Sequence, residues 1–283
     1  MTKIFTFLEH LKFVGFSKIS LTRGLSTTCF LFFISFSAFT QEVAPFNPRL
    51  DGGNIEIRGD IKFVGNNILN RASESNPGQA NTAYSGNDNN NSLWMEYIDI
   101  DGDPSTFSSS SAELNIADPE CSQVRYAGLY WAATYPNERS TNGSQSFSGT
   151  QRIEDWFNIK FRIPSGTYVD LSADTAADPA GQEDDIIYDG YDYTNINNSF
   201  KDSPYICYKN VTDLVRSNTN PNGEYTVANV RATKGRRNGS SSAGWVMVII
   251  YENPNESGKF ISTFDGYAGM SSAAGNVDVA ING

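Results

Sequence analysis

The run Trp245-Val246-Met247-Val248-Ile249-Ile250-Tyr251 is apolar at every position and β-branched at four. Branched side chains lose rotamer freedom in a helix and pack well on a pleated strand. A strand with no polar face must be covered on both, so this run predicts a central strand buried between layers. Ala243-Gly244 sets its start and Glu252-Asn253-Pro254 its end. Elsewhere apolar and polar residues alternate at period two, as in Asn158-Ile159-Lys160-Phe161-Arg162-Ile163, which marks a strand with one wet face. The other strand candidates are 54–64, 93–98, 113–116, 124–133, 156–163, 168–171, 186–188, 205–208, 225–232 and 260–264. Gly, Asn, Asp and Ser turns separate them. That pattern predicts an all-β chain, a jelly-roll-like β-sandwich with long polar loops. One helical turn is expected at Asn210-Val211-Thr212-Asp213-Leu214-Val215, capped by Asn210.

The first forty residues read differently. Lys3, Lys12, Lys18 and Arg23 accompany a single carboxylate, Glu9, and an apolar run from Phe30 to Phe39 follows. That run is about a dozen residues, short of the about 20 a membrane helix needs. Small residues Ser37, Ala38 and Thr40 precede Gln41. This is the order of a secretory signal peptide, with cleavage expected after Thr40; a retained signal anchor is the alternative. The expected location is therefore secreted or on the outer cell surface.

Removing residues 1–40 takes away the only histidine, His10, and one of three cysteines, Cys29. Ser-His-Asp and Cys-His relays and the common His/Cys zinc sites are then excluded. The leader holds four bases and one acid of the 21 and 32 in the chain, so −11 becomes −14. Such a surface repels nucleic acid and anionic lipid. It suits solubility outside the cell or divalent cation binding. Cys121 and Cys207 are candidates for a single disulfide in an oxidising compartment. Both also fall in apolar strand-like runs where a free buried thiol is common, and the two alternatives stand.

The remaining length fits one domain, 53–283, after an extended lead-in, 41–52, with no internal repeat and no proline-rich linker. Polar stretches 71–91 and 138–151 are expected to be surface loops. Asp99-Ile100-Asp101-Gly102-Asp103 places three carboxylates around a glycine turn, the kind of oxygen set calcium uses. An EF-hand would need a glutamate where Ser110 stands, so a solvated acidic turn is the competing reading. Glu183, Asp184, Asp185, Asp189 and Asp192 form a second acidic group among Tyr188, Tyr191 and Tyr193. A cation would relieve the repulsion there. Calcium is accordingly the one expected cofactor. Lys234-Gly235-Arg236-Arg237-Asn238-Gly239 reads as a basic hairpin tip. A glycosidase needs only two carboxylates, but no segment matches a hydrolase motif. Trp94, Tyr126, Tyr130, Trp131, Trp156 and Trp245 are expected to be mostly core, with a few lining a sugar-binding face.

Several segments together resemble a known family. They are Tyr126-Ala127-Gly128-Leu129-Tyr130-Trp131-Ala132, residues 161–171 with Tyr168-Val169-Asp170-Leu171, and Cys207-Tyr208-Lys209-Asn210-Val211-Thr212-Asp213-Leu214-Val215. Gly223-Glu224-Tyr225-Thr226-Val227-Ala228-Asn229-Val230, residues 243–254 and Phe260-Ile261-Ser262-Thr263-Phe264-Asp265-Gly266 complete the set. In that order they are similar to the N-terminal module of large secreted, adhesin-like surface proteins of flavobacterium-like gliding bacteria. Those proteins often end in a gliding-motility-associated or type IX secretion sorting domain. The resemblance implies a non-enzymatic extracellular module contacting glycan or protein partners, with no catalytic residues to carry over. It also marks Asp174-Thr175-Ala176 as an O-glycosylation pattern centred on Thr175. The chain stops at Val279-Ala280-Ile281-Asn282-Gly283 in what reads as mid-strand, without the sorting domain, so the last domain is expected to be truncated. A carbohydrate-active enzyme or carbohydrate-binding module is the runner-up, and a purely structural spacer the third reading.

Overall fold

The computed structural model describes residues 42–72, 93–140, 152–153, 155–173, 185–191, 203–236, 241–269, 279 and 281. The leader, Thr175, Glu183, Asp184 and Asp192 lie outside the described residues. Sixteen strands and one short helix are formed among those described. In chain order they are β1 (Glu42–Pro48), β2 (Ile55–Asn67), β3 (Leu69–Ala72), β4 (Trp94–Tyr97), β5 (Ser109–Leu114), β6 (Gln123–Thr134), β7 (Arg139–Ser140) and β8 (Asn158–Arg162). Then come β9 (Val169–Ser172), β10 (Ile186–Asp189), β11 (Pro204–Asn210), α1 (Thr212–Arg216), β12 (Gly223–Ala228), β13 (Lys234–Gly235), β14 (Ala243–Glu252), β15 (Gly258–Ile261) and β16 (Phe264–Ala268). The protein is an all-β sandwich. No helix among the described residues is long and apolar enough to cross a membrane.

β14 is the centre of the six-stranded sheet, ordered β10-β11-β6-β14-β2-β15. Its antiparallel register runs from Ala243 opposite Ala133 to Glu252 opposite Gln123 on one side, and from Gly244 opposite Asn67 to Glu252 opposite Gly59 on the other. A slip of one residue would turn Trp245, Met247 and Ile249 out of the core, so their burial pins the register. They meet a four-stranded sheet, β5-β12-β8-β9, across an interior holding Leu129, Trp131, Phe161, Tyr225 and Val227. Each large apolar side chain buried there contributes about 1.5–3 kcal/mol. The chain passes between the two sheets repeatedly, from β5 to β6, back to β8 and β9, out again to β10 and β11, and back to β12 through α1. The N-cap is Val211 and not the expected Asn210, whose Oδ1 accepts the Thr212 N–H at 3.0 Å from two positions before the helix.

A third sheet, β3-β4-β13-β7, closes one end, and β1 pairs with β16 as a separate two-stranded ribbon. The expected lead-in at 41–52 therefore contains a strand. Residues 71 and 72 continue β3, and Arg139-Ser140 forms β7, so both polar loops are trimmed. Lys234-Gly235 is no hairpin tip. It lies between β4 and β7, with Lys234 Nζ 3.4 Å from Glu96. The segment predicted at 113–116 is an earlier strand, β5, built on serine. Ser108, Ser109 and Ser110 are fully buried, and Ser110 Oγ accepts the Trp245 indole N–H at 2.9 Å.

The disulfide is corrected. Cys121 is exposed in a short 3₁₀ turn, Pro119–Cys121, while Cys207 is buried opposite Trp131 in mid-sheet. β6 begins at Gln123, so the eight-residue run to Trp131 puts roughly 25 Å of strand between the two cysteines. A disulfide needs Cα atoms within about 7 Å. Burial raises the Cys207 thiol well above its ordinary pKa and keeps it unreactive. Alkylation mapped by mass spectrometry is expected to label Cys121 rapidly in the native chain and Cys207 only after denaturation. A Cys121–Cys207 cross-linked peptide would refute this.

Candidate functional site

The sequence predicts that β14 is covered on both faces, and the structure leaves part of one face open. Val246 is 37% exposed and Phe63, two strand positions from Gly65 on neighbouring β2, is 66% exposed. At one end the outer face is covered. Ile57, Tyr126, Tyr208, Ile250 and Ile261 form a small second core. The β1/β16 ribbon lies over the adjacent part of this face. Arg49, just after β1, stacks over the Tyr208 ring at 4.5 Å and pairs with Asp265, and Tyr267 stacks on Tyr188 at 4.1 Å. Past Tyr267 the face opens into a trough of ≈ 1020 Å³.

The trough's floor follows from register. Ile206, Ala132, Gly244 and Asn67 are successive partners on β11, β6, β14 and β2. The row beside it reads Tyr208, Tyr130, Val246 and Gly65, and the next ends in Val248 and Phe63. A furrow of small residues thus runs across the strands beside a ridge of larger ones. Gly65 is required here, because a Cβ would sit 2.4 Å from the Trp245 carbonyl oxygen. Asn66, Asn67, Asn70, Arg71, Ser241 and Ser242 supply the polar margin, and no described lining residue is an Asp, Glu, His or Cys. In the lining, Ser241 Oγ is buried without a hydrogen-bond partner, while the Trp131 indole faces the interior on the other side of the sheet. Buried polar atoms without partners are rare in folded proteins.

The sequence-predicted acidic sites lie elsewhere. Asp99, Asp101 and Asp103 occupy the turn between β4 and β5, and their carboxylates are engaged internally. Asp101 accepts from the Asp103 N–H at 3.1 Å, the Thr106 hydroxyl at 3.0 Å and the Tyr168 hydroxyl. Ser109 Oγ donates to Asp99 at 3.0 Å, and the Ser105 N–H to Asp103 at 2.8 Å. Asp185 precedes β10 and Asp189 ends it, and each meets a cation, Lys209 Nζ at 2.5 Å and Arg152. No group of three metal-ligating side chains converges among the described residues.

Partial burial pushes the Asp101 pKa up, but the hydrogen bonds, led by that from Tyr168, hold it below the usual carboxylate value. A depressed folded-state pKa contributes stability above the unfolded-state value, lost as pH falls through the folded one. Tyr168→Phe is expected to raise the Asp101 titration midpoint. Carboxyl carbon NMR of both proteins checks this, and an unmoved midpoint would remove Tyr168 from the account.

Arg152 is the other concentrated feature. Its side chain is fully buried, pairs with Asp189, and donates to the carbonyls of Tyr135 at 2.9 Å and Ser203 at 2.6 Å. The rings of Trp156 and Tyr191 lie 4.8 and 4.9 Å from its guanidinium carbon. This is a structural anchor. It joins the residues after 151 to β6, β10 and β11, and no sequence periodicity announces it.

Taken together, these features define an all-β sandwich with an open trough on its outer face, lined by a single arginine and by no cluster of catalytic side chains among the described residues. No protein-family model, curated protein or solved structure matches the chain.

Proposed function

We propose that the chain is a non-enzymatic extracellular binding module of an adhesin-like bacterial surface protein, with the trough as its contact face for a glycan or protein partner. The observation that carries this reading is the two-sided apolar central sheet, whose outer face stays open around Val246 and Phe63. Exposed apolar surface rimmed by polar groups marks interaction sites. Glycosidic hydrolysis needs an acid and a second carboxylate across the cleft. The absence of Asp and Glu from the described lining favours binding over that reaction. A spacer has no use for a concave face of this size. Export follows from the leader pattern, and adhesin-like membership from the segments 120–270 that resemble such proteins.

Adhesion of beads coated with the full chain to bacterial and host cell surfaces tests the reading. Phe63→Ala and Val246→Asp, both solvent-facing, are expected to reduce adhesion without lowering the melting temperature. Undiminished adhesion of both variants, or release of reducing sugar by the wild type, would overturn it. Calcium enters this reading as a stabiliser. Because the carboxylates of the 99–103 turn already accept internal donors, wild type and Asp101→Asn are expected to respond alike to calcium and then chelator in a thermal melt. A response lost in Asp101→Asn would make that turn the ion site.

A further inference from the structure

We infer that the trough takes a neutral, linear glycan laid across the strands along the row Ile206, Ala132, Gly244 and Asn67. This deepens the binding-module reading and rests on it. Four adjacent strands span about 14 Å at a spacing of about 4.8 Å, room for several sugar rings in line. The floor beneath that line is flat, because Ala132 and Gly244 carry almost no side chain. Tyr130 and Val246 stand beside it as an apolar wall for the faces of the rings.

Three properties select the ligand. First, among the described residues the lining holds one arginine and no acid, in a chain of net charge −11. A polyanion would approach against the field of the whole surface with little local charge to offset it. Second, a partner β-strand presents alternating side chains that need separate pockets, and a furrow floored by alanine and glycine has none. Third, Ser241 Oγ is a buried polar atom without a partner in a residue that lines the trough. A ligand with a hydroxyl on nearly every carbon satisfies such a group at several registers, and an apolar peptide or an acyl chain leaves it unmet. The amides of Asn67 and the hydroxyl of Ser242 at the margin belong to the same chemistry.

Native gel electrophoresis of the full chain tests the inference. The gels contain either neutral linear polysaccharides (mixed-linkage β-glucan, galactomannan, amylose) or charged ones (alginate, polygalacturonate). Retardation is expected in at least one neutral gel and in neither charged gel. Ala132→Phe, which fills the furrow, and Val246→Asp, which places charge on its wall, are each expected to weaken retardation about tenfold or more. Thermal melts establish that both variants fold, and Val246→Asp, at an exposed position, keeps the test valid should Ala132→Phe fail to. Retardation only by charged gels, retardation unaffected by either variant, or none in any gel overturns the neutral-glycan assignment. Adhesion of coated beads that still depends on Val246 would then leave the binding module standing with a different ligand. Adhesion independent of both Phe63 and Val246 would remove the module reading itself.

Discussion

Asp189→Ala is expected to lower the melting temperature by roughly 10 °C, from a loss of about 3–5 kcal/mol. The substitution leaves the guanidinium of Arg152 buried with no counter-charge, since its side chain has no solvent exposure while that of Asp189 has 22%. Arg152→Ala removes the buried cation but empties a space bounded by Tyr135, Trp156, Tyr191 and Tyr205, and strips the Tyr135 and Ser203 carbonyls of their donors. Its loss is expected to be of similar size, through cavity and unmet acceptors. The double variant Arg152→Met with Asp189→Ala separates these causes. With the charge gone and the aromatic box filled by a flexible apolar chain, it is expected to be more stable than Asp189→Ala alone. Calorimetry of the double variant, Asp189→Ala, Arg152→Met and the wild type closes the cycle and gives the coupling directly. A double variant as unstable as the two single losses added would mean that the pair contributes through packing and not through charge. Arg152→Lys is expected to fail as Arg152→Ala does, because an ammonium cannot donate in the same plane to two carbonyls and a carboxylate.

Much of the sandwich is legible in the sequence because its strands bury one face. β8 alternates in Asn158–Arg162, and its Ile159 and Phe161 are buried as the period-two pattern requires. β14 is found from composition alone. The same logic misreads β14's outer face, because an all-apolar run signals two covered faces, and here part of one is covered by nothing among the described residues. The sequence signal for the trough is therefore present but carries the wrong meaning until the neighbours are known. Ala132 and Gly244 look like ordinary small residues, and only register places them side by side. β5 is illegible for a different reason. Its buried serines are satisfied by partners distant in sequence, such as the Trp245 indole, and composition cannot supply a partner. β1 is missed because Pro45 and Pro48 argue against an interior strand, and it is an element of a two-stranded ribbon where such residues are tolerated. The acidic groups mislead in the opposite direction. Spacing places three carboxylates together at 99–103, while the fold turns them toward Thr106, Ser109 and Tyr168.

The ribbon itself is the second place where one substitution is expected to have a large and local effect. Arg49 and Asp265 have side chains only 7% and 11% exposed, and they clamp β1 and β16 to the sheet through the rings of Tyr208 and Tyr130. Burial alone would lower the Arg49 pKa, but the hydrogen bond and charge of Asp265 raise it, so the guanidinium keeps its charge. Arg49→Ala leaves Asp265 without its cation among tyrosines whose own pKa values burial has already raised. A loss of about 3–5 kcal/mol follows. Among the described residues the ribbon is a two-stranded unit paired to no other sheet, and the Tyr188–Tyr267 stack is a further contact between it and the six-stranded sheet. Such units open below the global unfolding free energy. Hydrogen exchange in Arg49→Ala is therefore expected to accelerate in β1 and β16 while β6 and β14 keep their protection. Because Tyr267 belongs to the ribbon and lines the trough, the same variant is expected to weaken ligand retention although it touches no floor residue. Uniform acceleration across β1, β6 and β14 would show that the ribbon is integral to the core, and the trough would then have no movable wall.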